Sequence, residues 1–234
     1  MTAATVERRL AGPTSQTLDR GLRVLEVLAD ASEGMSIAEL AQILGIDRAI
    51  VYRLVNTLSR HRLVARNRHG VYSLGTGVVT LARNVHATLQ SAAYLAMTKL
   101  AEKAQMTAYL AMADGDEVVN VAIVEPREAE IHVSYRVGIR SPIGRGSAGI
   151  AILSGRPAQN GEQPAIARAR ELGYAVTSGE LADGSVSLAA PIGAAGSDVY
   201  ASIGVVTLGT TINEDRIAPL VVRAAATIAA QVER

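Results

Sequence analysis

SIAELAQILGIDRAIVYRLVNTLSRHRLVARNRHGVYSL, residues 36–74, decides the fold of the front of this chain. Ser36-Ile37-Ala38-Glu39 reads as a capping box, in which the Ser oxygen and the Glu carboxylate each satisfy an orphan backbone N–H. Ile37, Leu40, Ala41 and Leu44 follow at helical spacing as a buried stripe. Gly45 supplies the left-handed residue that ends this helix, and Asp47 caps the next. That next helix, about Arg48 to Arg60, has Val51, Leu54, Val55 and Leu58 as its apolar seam. Arg48, Ala49, Tyr52, Arg53, Asn56 and Thr57 are left facing outward. Leu63–Arg66 and Val71–Leu74 then flank Asn67-Arg68-His69-Gly70, the pattern of a hairpin with Gly at its close. Two capped helices joined by a tight turn and followed by a basic hairpin predict a winged helix-turn-helix.

Charge points the same way. From Arg48 to Ala101 there are seven Arg and one Lys, and not one Asp or Glu. Residues 1–90 carry 11 Arg against 7 acidic groups, whereas residues 91–234 carry 12 basic against 15 acidic groups. A basic front suits a polyanionic partner, because a carboxylate near a phosphate backbone opposes binding. Arg48, Ala49 and Tyr52 occupy the first two turns of the helix, the part that reaches base edges in the major groove. Arg53, Thr57 and Arg60 are better placed for phosphates, and Arg66 and Arg68 for the backbone or minor groove beside the wing. Arg20 and Ser36 complete the expected DNA contacts. With no Phe or Trp in the chain, a stacking platform for single-stranded nucleic acid would rest on Tyr alone, which disfavours that class.

Upstream, Met1–Gln16 is polar, contains Gly12-Pro13 and reads as a flexible arm. Thr17 is the expected cap of a first helix whose Leu18, Leu22, Leu25 and Leu28 share one face. Downstream, Gly75 to about Gln105 is Ala-rich and helical, with an interruption expected near Ser91. Ala-rich surfaces allow close helix approach, so a dimer seam and ordinary intrachain packing both fit. Strands are expected at Thr107–Ala113, Val118–Val124, Glu130–Val137, Tyr174–Thr177, Ser185–Ile192 and Tyr200–Leu208. Helices are expected at Ser147–Leu153 and Gln163–Leu172, with a last one capped by Asn213. Consecutive strands with short connections mean an antiparallel sheet, and helices grouped around them give an α+β fold. The domains are therefore set at 1–16 (arm), 17–74 (winged helix-turn-helix), 75–90 (linker helix) and 91–234 (a domain for effector binding and oligomerisation).

The segment Gly144-Arg145-Gly146-Ser147-Ala148-Gly149 leads from a loop into a helix start, where unpaired N–H groups and the helix dipole favour a carboxylate. Simple turn chemistry for the glycines and a plain N-cap for Ser147 explain the same residues.

Leu18–Leu25, Val51–Leu58, Tyr72-Ser73-Leu74-Gly75 and, above all, Ser178–Pro191 (SGELADGSVSLAAP) resemble the isocitrate lyase regulator (IclR) family of bacterial transcription factors. The resemblance runs from about Ser15 to Ala230. It implies a homodimeric or homotetrameric repressor or activator that binds a palindromic double-stranded operator, with a GAF-like C-terminal domain that holds a small carboxylic or aromatic acid. Carried over to this chain, the effector site comprises Tyr135, Ser147, Ala148, Gly149, Glu180, Ser185, Ser187, Gly204 and Val206. Gly204 and Val206 stand where many members have polar residues, which leaves room for a bulkier or more apolar ligand. Gly144 and Ile150 replace a common His and Lys.

Two other classes compete. Ser147 or Ser185 with His132 and Asp183 sketches a hydrolase triad, and Glu180 with Asp183 an acid–base pair, but no Gly-x-Ser-x-Gly elbow occurs, and an enzyme is not expected. An architectural DNA-binding protein without a ligand is disfavoured by the size of the back half. With no cysteine, thiolate metal sites and disulfides are excluded, and the four histidines show no ligand spacing, so no cofactor or metal is expected. No apolar run approaches a membrane span or a signal peptide, and the expected compartment is the cytoplasm.

Overall fold

The computed structural model describes residues 13–83, 85, 87–128, 136–193, 199–209 and 211–232. They form two compact units, divided after Val85.

The first unit contains α1 (Gln16–Asp30), α2 (Ile37–Leu44), α3 (Arg48–Arg60), β1 (Val64–Arg66), β2 (Tyr72–Leu74) and α4 (Gly77–Ala82). Its core is built from Val24, Leu28, Leu40, Val51, Val55, Val64 and Tyr72. The capping box forms as expected: the Ser36 N–H donates to Glu39 Oε2 at 2.7 Å and the Glu39 N–H to Ser36 Oγ at 3.3 Å. Gly45 ends α2 at φ 65°, a left-handed conformation that a Cβ disfavours. The Asp47 carboxylate opens α3 by accepting the Ala49 N–H at 2.7 Å. β1 and β2 pair antiparallel with Arg66 opposite Tyr72.

The Glu39 carboxyl is held below the usual carboxylate range, first by the Ser36 backbone N–H and then by the Ser36 side chain. A group lowered by folding stabilises the fold above its unfolded value and loses that contribution as pH falls through its folded value. Glu39→Gln keeps an acceptor for the box but has nothing to titrate. It is therefore expected to flatten the fall in urea midpoint below about pH 4.3, the ordinary Glu value. An unchanged acid limb would contradict this role.

Two expectations for α1 are corrected. Thr17 lies inside the helix and does not cap it; the N-cap residue is Ser15, which makes no side-chain bond. Leu18 and Leu22 are 62% and 49% exposed, and the buried face runs through Gly21, Val24 and Leu28. The apolar arc of α1 is wider than the surface covering it. The covered strip passes through Gly21, which faces Leu54 of α3, and not along the leucine row.

The second unit contains α5 (Ala87–Ala104), β3 (Thr107–Asp114), β4 (Glu117–Val124), β5 (Arg140–Pro142), α6 (Gly146–Gly155), α7 (Pro164–Leu172), β6 (Ala175–Ser178), β7 (Ser185–Ile192), β8 (Ala201–Leu208) and α8 (Glu214–Val232). The strands form one antiparallel sheet in the order β5-β4-β3-β8-β7-β6. Alternation assigns its two faces. Leu110, Met112, Leu188, Ile203 and Val205 pack with α5 and α8. Tyr109, Ala111, Ala189 and Val206 pack with α6 and α7. The Asn213 side chain accepts the Arg216 N–H at 3.1 Å, as expected of a cap for α8.

The helical connection breaks between Ala82 and Ala87 and not near Ser91, which lies within α5. A single helix over 75–90 is thus replaced by two. The reason lies in what each piece is bound to: the Gly77 N–H donates to the Arg62 carbonyl of the first unit, whereas Leu89, Ala93 and Met97 are buried in the second sheet's core. Of the strand expected at Glu130–Val137, residues 130–135 lie outside the described residues, and Arg136 and Val137 are not in a strand. β5 was not anticipated; it pairs Ser141 with Val118, and Arg140 bridges Asp114 at 2.6 Å and Glu117 at 3.0 Å. Among the described residues no helix is long and apolar enough to cross a membrane.

Candidate functional site

In the first unit, α3 buries Val51, Leu54 and Val55 and exposes Arg48, Ala49, Tyr52, Arg53, Asn56 and Thr57. The three-residue turn Gly45-Ile46-Asp47 holds α3 against α2, leaving its first turns free along the outer face. The two nearest carboxylates in sequence, Glu39 and Asp47, both accept backbone N–H groups. Among the described residues, none of Arg48, Arg53, Arg60 and Arg68 is in an ion pair, so their charge is available to an external anion. Thr57 faces outward, but its hydroxyl donates to the Arg53 carbonyl at 3.0 Å and is left with lone pairs that a phosphate oxygen cannot use. Arg20 and Ser36 are half-buried, and the Ser36 oxygen is engaged in the capping box. On the wing, the Arg66 guanidinium lies 5.5 Å from the centre of the Tyr72 ring, a cation–π contact that holds it to the hairpin, and Arg68 is exposed at the tip.

In the second unit, Ser147, Ser187, Gly204 and Val206 of the expected effector residues lie between the sheet and α6, where Tyr109 takes up the space. Ser147 is 1% exposed. Its hydroxyl lies 2.8 Å from the Tyr109 hydroxyl and donates to Ser187 Oγ at 2.8 Å. Thr177 Oγ1 is 3.2 Å from Ser187 Oγ and accepts the Ser147 N–H at 3.0 Å. The Glu180 carboxylate accepts the Gly146 N–H at 2.7 Å, and the Arg145 guanidinium donates to the Glu180 carbonyl. At the start of α6 the chain's own Glu180 and Thr177 take the Gly146 and Ser147 N–H groups, satisfying two donors that burial would otherwise leave unpaired.

The room expected at Gly204 is likewise absent. Tyr109 on β3 sits directly across from Gly204 on β8, and a Cβ at Gly204 would stand 2.5 Å from the Tyr109 ring and hydroxyl and 2.6 Å from the Leu188 carbonyl oxygen. The missing side chain at 204 makes the space that the phenol fills. Val206 packs in the same cluster. Ala148 contributes its carbonyl to the Ser202 hydroxyl at 3.0 Å. Gly149 lies against the Ile143 backbone, where a Cβ would come within 2.0 Å of the carbonyl oxygen. Ser185 turns away, donating to the Ala182 carbonyl at 2.7 Å. Tyr135 lies outside the described residues. Tyr109 and Thr177 were missed in the sequence, since each declares itself only through the strand opposite: Tyr109 through Gly204, Thr177 through Ser187. Among the described residues no cluster of His, Cys, Asp and Glu could hold a metal ion.

A winged helix-turn-helix followed by an antiparallel sheet with helices on both faces is the plan of a DNA-binding transcriptional regulator with a C-terminal effector domain. Residues 17–68 match the IclR helix-turn-helix domain, and residues 162–234 match the bacterial transcriptional regulator IclR C-terminal domain. The HTH-type transcriptional regulator XynR of Escherichia coli is 26% identical over 231 residues, spanning 88% of this chain and 91% of its own. An IclR transcriptional regulator from Alicyclobacillus acidocaldarius superposes with a TM-score of 0.77 at 22% identity, over 94% of this chain and 100% of its own. An IclR homolog from Microbacterium hydrocarbonoxydans, solved in complex with 4-hydroxybenzoate, gives a TM-score of 0.79 at 20% identity, over 93% of this chain and 99% of its own. The chain belongs to the IclR family of transcriptional regulators.

Proposed function

We propose that this regulator binds an inverted-repeat operator as a dimer or tetramer, reads bases with the first two turns of α3, and is controlled by a small organic effector in the second unit. The observation that carries the DNA reading is the outer face of α3, where Arg48, Ala49, Tyr52 and Arg53 are exposed and no described carboxylate pairs with the arginines. A dimer sets two such helices about 34–36 Å apart on successive half-sites. Affinity is expected to fall steeply with salt, as the arginines release phosphate counterions. Failure to bind duplex DNA from the protein's own promoter region in dilute buffer would end this reading.

The effector reading rests on the buried hydroxyls of Ser147, Ser187 and Thr177. Because the Tyr109 hydroxyl already bonds to Ser147, a ligand reaching Ser147 must displace the phenol. A hydroxylated aromatic acid offers the same chemistry in return, and 4-hydroxybenzoate, the ligand of the Microbacterium relative, is a phenol. We read the chain as a regulator and not an enzyme because Ser147 and Ser185, its nearest nucleophiles, bond to other hydroxyls and to a turn carbonyl.

The filled pocket also favours a second reading, a DNA-binding protein that needs no ligand. Melting of the protein with a panel of hydroxylated aromatic and aliphatic acids separates the two. A ligand bound only by the folded state must raise the midpoint, and a hit should also change operator affinity. Flat midpoints across the panel would leave the ligand-free reading standing.

A further inference from the structure

On the sheet face opposite the hydroxyl cluster, α5 and α8 lie side by side and leave a trench of about 280 Å³ between their outer surfaces. Its floor is apolar, with Leu100 from α5 and Leu220 and Ala224 from α8. Its rim carries Lys99, Lys103 and Arg223, and among the described residues no Asp or Glu lines it. The carboxylate on α5 next to these lysines is engaged elsewhere: Glu102 accepts the Arg127 N–H at 3.2 Å. Among the described residues none of the three rim cations is in an ion pair. Lys99 and Lys103, four apart on one helix face, repel each other. An anion seated among them and Arg223 relieves that repulsion.

We infer that this trench is a second small-molecule site that takes an amphipathic carboxylate, with its apolar tail on Leu100, Leu220 and Ala224 and its head group among Lys99, Lys103 and Arg223. A second copy of the chain fits less well, because a two-fold axis would bring the same three cations face to face. A nucleic-acid backbone has nothing to cover the apolar floor. The volume equals that of about nine waters at about 30 Å³ each, which suits an acid of about eight carbons.

The full chain titrated with octanoate, octanol and octylamine by calorimetry tests this. Octanoate should bind, with octanol at least about tenfold weaker and octylamine silent. Lys99→Gln with Arg223→Gln should weaken octanoate about tenfold, two exposed ion pairs being lost. Ala224→Leu, which fills the trench without changing charge, should abolish the heat while the melting curve persists. Octanol binding as tightly as octanoate would overturn the proposal, as would unchanged affinity in the double variant. So would competition by 4-hydroxybenzoate, which would put octanoate in the hydroxyl pocket, or a change of sedimenting mass in Ala224→Leu without loss of octanoate heat, which would make the trench an interface between copies.

Discussion

Arg48→Ala is expected to weaken binding to the preferred operator by about 5- to 150-fold while leaving binding to scrambled duplex much less affected. Arg48 is the first residue of α3, exposed, and outside any ion pair among the described residues. A guanidinium there can bond a guanine edge through two donors, and such a pair is worth about 1–3 kcal/mol of discrimination. Arg68 occupies the tip of the wing, where it meets a backbone that is the same in every sequence. Arg68→Ala should therefore weaken both duplexes alike and lower the salt slope by about one. Fluorescence anisotropy on a duplex selected from a random pool, beside its scrambled counterpart, measures both. If the two substitutions act equally on both duplexes, α3 does not read bases through Arg48.

The second large effect concerns the filled pocket. Tyr109→Ala removes a 1% exposed phenol from between Gly204 and α6, and large aromatic truncations of this kind cost about 3–5 kcal/mol. The cavity it leaves keeps the Ser147 hydroxyl at its wall, so phenol added to the variant should restore part of the lost stability, as ligands of apolar cavities do. Gly204→Ala in the parent should cost about 1–3 kcal/mol by overpacking against the ring. In the Tyr109→Ala background its cost should shrink without vanishing, because the Leu188 carbonyl oxygen, at 2.6 Å from the added Cβ, remains. Urea unfolding of the four proteins yields the coupling directly. Strict additivity would mean that Tyr109 is not what confines position 204.

These expectations bear on regulation. If the phenol must leave for an effector to enter, the ligand's apparent affinity is reduced by the small fraction of molecules with the pocket open. Tyr109→Ala would then bind small phenols more tightly than the parent while losing the movement that couples binding to the rest of the domain.

Much of the fold was legible from neighbours in sequence. The capping box of Ser36 and Glu39, the left-handed Gly45, the Asp47 cap and the seam Val51, Leu54, Val55 all involve residues within four positions, and each took its expected form. Helix periodicity failed where it could not say which part of a wide apolar arc would be covered, as at Leu18 and Leu22, and where one Ala-rich run was split between the two units. In the candidate pocket Ser147 and Ser187 meet as neighbours, but Tyr109 fills the space beside them. Ser147 meets Tyr109 from 38 positions away, and Glu180 reaches Gly146 across 34. Local chemistry, acting through bonds a few residues long, determined the two helices, the turn and the wing from the sequence alone. Which side chain fills the space beside Gly204, and which carboxylate caps the start of α6, was decided only by tertiary structure. Strand register brings distant residues opposite one another, and no local spacing encodes that register.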